Sequence, residues 1–234
     1  MEIYGKNVVK DAIMNGEEIK KVYLTNQFKD DELISKLEKL HIPIKRISKD
    51  KMNQMVSGNH QGIVASVKDY DYSSLEELMV DNALLVILDH LEDPHNFGAI
   101  IRTCEAAGVD GIIIPKNRSV SVNPTVIKVS TGAIANVKIA QVTNINQTME
   151  DLKKNNFWIV GTDMNGTDYT QIDYTGNIAI VIGNEGDGMS KLTKQNCDFI
   201  ASIPMRGKTN SLNASVATGI VVFEAVNCRR KHGL

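Results

Sequence analysis

The sequence predicts an α/β fold built on a parallel or mostly parallel sheet. Short β-branched runs alternate with helix-period segments along most of the 234 residues, which is the pattern of successive βαβ units. With 42% hydrophobic residues, the chain can bury a substantial core, and its length allows one large domain or two small ones.

Nine segments are predicted strands because each is short, rich in β-branched residues and bounded by turn-forming residues. They are 21–24, 42–47, 62–67, 84–88, 111–114, 137–140, 157–161, 178–182 and 199–203. Asp30, Ser48 and Asn144 each precede an amphipathic run, and their side-chain oxygens suit a helix N-cap. A last helix is predicted at about 212–230.

A charged segment, KDYDYSS at 68–74, interrupts the alternation and predicts a domain boundary. We expect a small domain at 1–70, a linker at 71–81 and a larger domain at 82–234. Residues 1–69 hold 12 basic and 10 acidic residues, whereas the rest hold 14 and 18. The first domain is therefore the better candidate for contacting a polyanion, although its charges also suit an ordinary solvated face.

Composition excludes several classes of protein. The net charge of −2 provides no general attraction for nucleic acid, so such binding needs a local patch. Cys104, Cys197 and Cys228 stand singly, which argues against disulfides or a zinc site and favours a reducing, cytoplasmic compartment. The apolar runs are far too short for a membrane span, and we expect no membrane association.

Three polar, glycine-containing stretches come after predicted strands, where ligands bind in doubly wound sheets. They are DHLEDPHNFGAIIRTCEAAG at 89–108, IVIGNEGDGMS at 180–190 and IPMRGKTNSLNASVATG at 203–219. In the first, Asn96 is predicted to cap a helix, with Arg102 further along it. The second lacks the GxGxxG order of dinucleotide sites and the GK[ST] of phosphate loops. Each stretch alone is also compatible with ordinary capping and turn formation.

Together and in this order, the three stretches resemble the signature motifs of the SpoU-type RNA ribose 2'-O-methyltransferases of the SPOUT superfamily. The resemblance covers roughly residues 82–230. Residues 1–70, beginning EIYGKNVVKDAI, resemble the ribosomal-protein-like RNA-binding domain of the subgroup that acts on 23S rRNA. The resemblance of the three motifs implies an α/β domain with a deep trefoil knot, S-adenosylmethionine as cofactor without a metal, and a homodimer with its active site at the interface.

The family's residue roles transfer to matching positions of this sequence. The implied catalytic residues are Asn96, Arg102, Glu185, Ser211 and Asn213. The implied cofactor-binding residues are Gly183, Ile203 and Leu212. Arg102 is expected near the target ribose and its phosphate, where a clamping role is easier to explain than proton abstraction, because a guanidinium is effectively always protonated.

The resemblance predicts methylation of a guanosine 2'-hydroxyl in 23S rRNA. A tRNA ribose methyltransferase of the same family and a non-catalytic ribosome-assembly factor are the alternatives. A nucleotide-dependent oxidoreductase is disfavoured because GxGxxG is missing.

Overall fold

The computed structural model describes residues 1–14, 16–209 and 211–233, which form two units, Met1–Asp71 and Tyr72–Leu234. The segment expected to be a linker, 71–81, belongs largely to the second unit. Ser73 bridges to Ala140 of the second unit's sheet, and Leu78 is completely buried in its core.

The first unit is a four-stranded sheet with three helices. Its elements are β1 (Glu2–Tyr4), α1 (Lys6–Met14), β2 (Ile19–Thr25), α2 (Asp31–Lys39), β3 (Ile44–Ile47), α3 (Lys49–Met55) and β4 (Ile63–Val67). The strand order is β1-β4-β2-β3. Because β4 runs antiparallel to both β1 and β2, the expectation of a mostly parallel sheet is wrong for this unit, and the short strand β1 was missed.

The second unit is a six-stranded sheet with helices. Its elements are β5 (Leu84–Leu88), α4 (Pro94–Ala107), β6 (Gly111–Pro115), α5 (Pro124–Ser130), β7 (Lys138–Val142), α6 (Ile145–Lys154), β8 (Phe157–Asp168), β9 (Asn177–Ile182), α7 (Lys191–Gln195), β10 (Phe199–Ser202) and α8 (Ala214–Lys231). Every pairing in the order β10-β8-β9-β5-β6-β7 is parallel. The α/β prediction with a parallel sheet is confirmed here.

The centre of this sheet fixes where a ligand can bind. β5 and β9 are adjacent and almost wholly buried, so both read as continuous apolar runs. From β5 the chain proceeds outward through β6 and β7, while β8 and β10 lie on the far side of β9. This reversal creates a crevice at the carboxyl ends of β5 and β9, the usual ligand position in such sheets.

Candidate active site

The loops that leave β5 and β9 are bonded to each other. The buried carboxylate of Asp89 accepts the Ser190 backbone N–H at 3.0 Å and contacts Nδ1 of His90 at 2.6 Å. The carbonyl of His90, which lies in the left-handed region at φ +59°, accepts from the Asn184 side chain at 2.7 Å. Asn184 and Gly188 also exchange two backbone hydrogen bonds. The loop carrying Glu185 is therefore held in one conformation.

Three predicted residues form a directional hydrogen-bond chain, which we call the amide relay: Asn213, Asn96 and Glu185. The Asn213 amide donates to Oδ1 of Asn96 at 2.9 Å, and Nδ2 of Asn96 donates to Oε1 of Glu185 at 2.9 Å. Oδ1 of Asn213 in turn accepts from the N–H and hydroxyl of Ser215. Because every donor points toward the carboxylate, the bonds polarise one another in the same direction.

The prediction that Asn96 caps a helix is wrong. α4 begins at Pro94, and Asp93 is its N-cap, with its carboxylate accepting the His95 N–H at 2.8 Å. Proline suits the first helical position because its missing N–H would have no partner there. Asn96 lies inside the first turn, so its side chain is available to the relay.

A pocket of about 350 Å³ opens beside Glu185. Its lining includes five of the eight predicted residues, namely Gly183, Glu185, Ile203, Ser211 and Leu212. Asn96 and Asn213 are connected to it through the amide relay. The lining is apolar in its Ile, Leu, Met and Ala side chains and acidic at Asp163, Glu185 and Asp187. It suits a ligand that combines an apolar heterocycle with positive charge.

The residues that form one wall of the pocket were not among the predicted site residues. β8 extends well beyond the predicted 157–161, and its pairing with β10 jumps from Gly161 to Thr167. The intervening residues leave the ladder, and Thr162, Asp163 and Met164 line the pocket. They come directly after the predicted strand, so the rule that ligands bind beyond the carboxyl ends of parallel strands would have identified them.

Asp163 in this wall is an ionised carboxylate that is paired with Lys194. Its partial burial opposes ionisation, but hydrogen bonds from the Asn165 backbone N–H and the Lys194 ammonium outweigh it and lower the pKa of the carboxyl. The Asp163 to Lys194 contact is 2.9 Å. Asp163 is therefore ionised at neutral pH.

Arg102 is not brought to the amide relay. It is exposed on α4, and its position six residues after Asn96 places it about 120° around the helix. No hydrogen-bond or ion-pair partner of Arg102 occurs in the part of the chain that the structure describes.

Among residues 1–14, 16–209 and 211–233, no set of three or more His, Cys, Asp or Glu side chains could bind a metal ion. Within the same residues, no helix has the length and apolar character required to span a bilayer.

Comparison with known proteins identifies two families along the chain. Residues 83–223 match the SpoU rRNA Methylase family, and residues 3–73 match the family described as RNA 2'-O ribose methyltransferase substrate binding. A protein of Staphylococcus saprophyticus, assigned by name to the TrmH family of tRNA/rRNA methyltransferases, is 42% identical over 99% of this chain and 97% of its own length.

Two solved structures of RNA-modifying enzymes are also similar to this chain. The AdoMet-bound rRNA methyltransferase of Sinorhizobium meliloti is 28% identical, with a TM-score of 0.64 over 100% of this chain and 87% of that one. The TrmH/SpoU tRNA modifying enzyme of A. aeolicus is 33% identical, with a TM-score of 0.59, but it covers only 68% of this chain and 82% of its own. This chain belongs to the SpoU/TrmH family and is an RNA methyltransferase.

Proposed function

We propose that this protein transfers a methyl group from S-adenosylmethionine to the 2'-hydroxyl of a guanosine ribose in 23S rRNA. The observation that carries the proposal is the amide relay, which joins the three signature motifs beside a pocket of suitable size and polarity. The first unit supports rRNA over tRNA as substrate, because the tRNA modifying enzyme matches 68% of this chain and the rRNA methyltransferase all of it.

The volume and lining of the pocket support S-adenosylmethionine as its ligand. Its 350 Å³ is within the roughly 300–1,000 Å³ of small-molecule sites. Ile203 and Leu212 can cover the adenine, while the acidic side chains Glu185 and Asp187, which have no ion-pair partner among the described residues, complement the cationic ligand. When bound, the cofactor supplies an electrophilic methyl group on a sulfonium leaving group.

The protein's own residues then align the ribose. Glu185, oriented by Asn96 and Asn213, accepts hydrogen bonds at the pocket mouth, and Ser211 offers a hydroxyl beside it. Arg102 clamps the phosphate next to the target nucleotide. Methyl transfer would form the bond between the 2'-oxygen and the methyl carbon and break the sulfur–carbon bond of the cofactor. The hydroxyl proton would pass to water, because an Arg102 guanidinium that holds a phosphate is already protonated. Positioning provides much of the rate enhancement.

We also propose that the protein acts as a homodimer and that its C-terminal segment forms a deep trefoil knot. α8 is apolar on two sides, since Val221 and Val222 are buried while Val216 and Phe223, seven residues apart, are about half exposed. An apolar stripe of this kind is typical of a subunit interface. Arg102 does not contact the amide relay of its own chain. In a dimer it could instead act in the active site of the partner subunit. A crystal structure tests the knot, and the molecular mass of the protein in solution tests the dimer.

The free cysteines Cys104, Cys197 and Cys228 support a reducing, cytoplasmic compartment for this activity.

Replacing Gly183 with alanine is expected to weaken cofactor binding. A Cβ at Gly183 would lie 2.4 Å from the backbone of Gly188 and Met189, so the whole loop must shift. We expect the Kd for S-adenosylmethionine to rise at least about tenfold, which corresponds to about 1.4 kcal/mol. Gly186→Ala is the matched control, because its nearest neighbour would be an Asn184 side-chain oxygen at 3.5 Å. Calorimetry showing equal affinities for the two variants would contradict the proposed cofactor site.

The reaction itself is tested by the chemistry of the methylated RNA. A methyl group on the 2'-oxygen blocks the hydroxyl that cleaves the neighbouring phosphodiester in alkali. Label from S-adenosylmethionine should therefore be recovered in alkali-resistant dinucleotides. Label recovered in methylated bases of alkali-released mononucleotides would rule out ribose methylation.

A further inference from the structure

The first unit contains a polar concavity that the site in the second unit does not use. We call it the amide cleft. It measures about 730 Å³ and is formed by the loops at 25–29 and 58–62, by Ser48 and the first turns of α3, and by Lys6. Lys6, Lys29 and Lys49 line it, and none of the described Asp or Glu residues does. The lysine clusters most obvious in the sequence, such as Lys20 with Lys21, lie outside its lining.

One wall of the amide cleft is held rigidly by His60, which is 7% exposed. Its Nδ1 accepts the Gly62 N–H at 2.9 Å, and its Nε2 lies 2.8 Å from Oδ1 of Asn53, to which it donates. Together the two bonds fix the orientation of the ring, with Nδ1 as the acceptor and Nε2 as the donor. Gly62 has φ +83°, and an added Cβ would lie 2.8 Å from Oγ1 of Thr25. The cleft is therefore preorganised, which reduces the entropic cost of binding.

The amide side chains bias the cleft toward donating hydrogen bonds. The side-chain oxygen of Asn53 accepts from His60, that of Asn59 from the Gln61 N–H, and that of Gln61 from the Lys6 N–H. In each case the oxygen is used within the fold and the NH₂ group has no acceptor in the described part of the chain. Asn26 and Gln27 add two exposed amides. A ligand for such a surface must be rich in acceptors.

The lysine side chains add a second requirement, which is that the ligand carry negative charge. The Lys6 ammonium forms a long ion pair of 3.9 Å with the Asp30 carboxylate and lies 5.0 Å from the centre of the Phe28 ring. Lys29 and Lys49 are exposed and have no ion-pair partner among the described residues. Phe28 is only 6% exposed, so the cleft offers no aromatic platform on which a base could stack.

We propose that the amide cleft binds the sugar-phosphate backbone of an RNA loop or bulge through Lys29, Lys49 and the amide donors. Phosphate oxygens are anionic acceptors, and ammonium and amide groups are their usual partners. A backbone that has left the A-form helix can enter a concavity, whereas duplex RNA is recognised across an extended groove surface. The inference rests on the proposed function, since it identifies where the first unit would hold the RNA substrate.

The test uses the full chain and fluorescence anisotropy with a hairpin RNA whose loop is single-stranded. We expect Lys29→Gln/Lys49→Gln to weaken binding at least about tenfold and to reduce the salt dependence, the slope of log K against log salt, by about 1.4, or 0.7 per lost phosphate contact. Asn26→Ala/Gln27→Ala should weaken binding without changing that slope. The matched control, Lys36→Gln/Lys39→Gln on the exposed face of α2, should change neither.

Three results would overturn the inference: equal effects of the two lysine pairs, equal binding of a fully paired duplex, or tighter binding of a polyglutamate peptide. Calorimetry with S-adenosylmethionine on every variant checks that the second unit is intact. If wild-type protein methylates RNA while the two lysine pairs behave alike, the cleft assignment is wrong and the proposed function stands. A wild-type protein that neither binds nor methylates RNA would contradict both the cleft assignment and the proposed function.

Discussion

Arg102→Ala is expected to lower the rate of methyl transfer by about 100-fold or more while leaving the Kd for S-adenosylmethionine unchanged. The guanidinium is proposed to hold the phosphate that orients the 2'-hydroxyl, and removing a preorganised electrostatic contact of this kind has effects of that size. Cofactor affinity should persist because Arg102 does not line the pocket. Single-turnover kinetics and calorimetry measure the two quantities separately.

The exposed cation Lys154, paired with Asp151 on the surface, provides the control, and Lys154→Ala should retain the wild-type rate. Mixed dimers test whether Arg102 serves the partner's site. Co-expression of Arg102→Ala and Gly183→Ala subunits with different tags should yield a heterodimer with one intact site. At a cofactor concentration below the Kd of the Gly183→Ala protein, this heterodimer should be more active than either parent. A near-normal rate for Arg102→Ala contradicts the assigned role, and an inactive heterodimer contradicts action across the interface.

Arg229→Met is expected to destabilise the fold strongly. Arg229 is 9% exposed and donates to four backbone carbonyls, those of Tyr174, Asn82, Ala83 and Gly176. Methionine would leave these acceptors buried without their donor, at a cost of about 1–3 kcal/mol for each that water cannot reach. We expect a loss of about 3 kcal/mol or more in the free energy of unfolding, measured by urea denaturation at fixed protein concentration.

The neighbouring residue supplies the control for this prediction. Arg230 is exposed, and its contact with Asn227 is a long one of 3.4 Å, so Arg230→Met should shift the urea midpoint little. Arg229→Lys should fall between the two, because an ammonium keeps the charge but cannot reproduce the planar fork of donors. Equal midpoints for Arg229→Met and Arg230→Met would show that the carbonyl cluster does not depend on this side chain.

The location of the site could be predicted from the sequence, but its internal bonding could not. Polar stretches after apolar strands indicate a ligand site because parallel strands end at the same edge of a sheet. The amide relay joins Asn96 to Glu185 and Asn213, which are 89 and 117 residues away, and no local pattern specifies such pairings. The capping prediction for Asn96 failed because Asp93 caps the helix, three residues earlier, and Pro94 is its first residue.

Arg229 and β8 illustrate two further limits. Arg229 stands in the basic run RRKH, which is typical of a solvated helix end, and only the fold brings the carbonyls of 82–83 and 174–176 to it. β8 has a polar second half, TDMNGTD, in which alternation ends at residue 161. The strand resumes because β10 pairs with it again at Thr167 and Asp168, which is a tertiary effect. Strand β4 was predicted at 62–67, but its antiparallel direction was not, because strand direction leaves no trace in hydrophobic pattern.

The most direct test of the proposed reaction is methyl transfer from labelled S-adenosylmethionine to separate 23S rRNA, 16S rRNA and tRNA transcripts, with mass mapping of the modified nucleoside. The proposed function predicts label in 2'-O-methylguanosine of 23S rRNA, and an initial rate of labelling that is lower by about 100-fold or more with the Arg102→Ala protein. Label confined to tRNA would contradict the proposed substrate, and absence of label from every RNA, despite cofactor binding, would contradict the activity on free RNA.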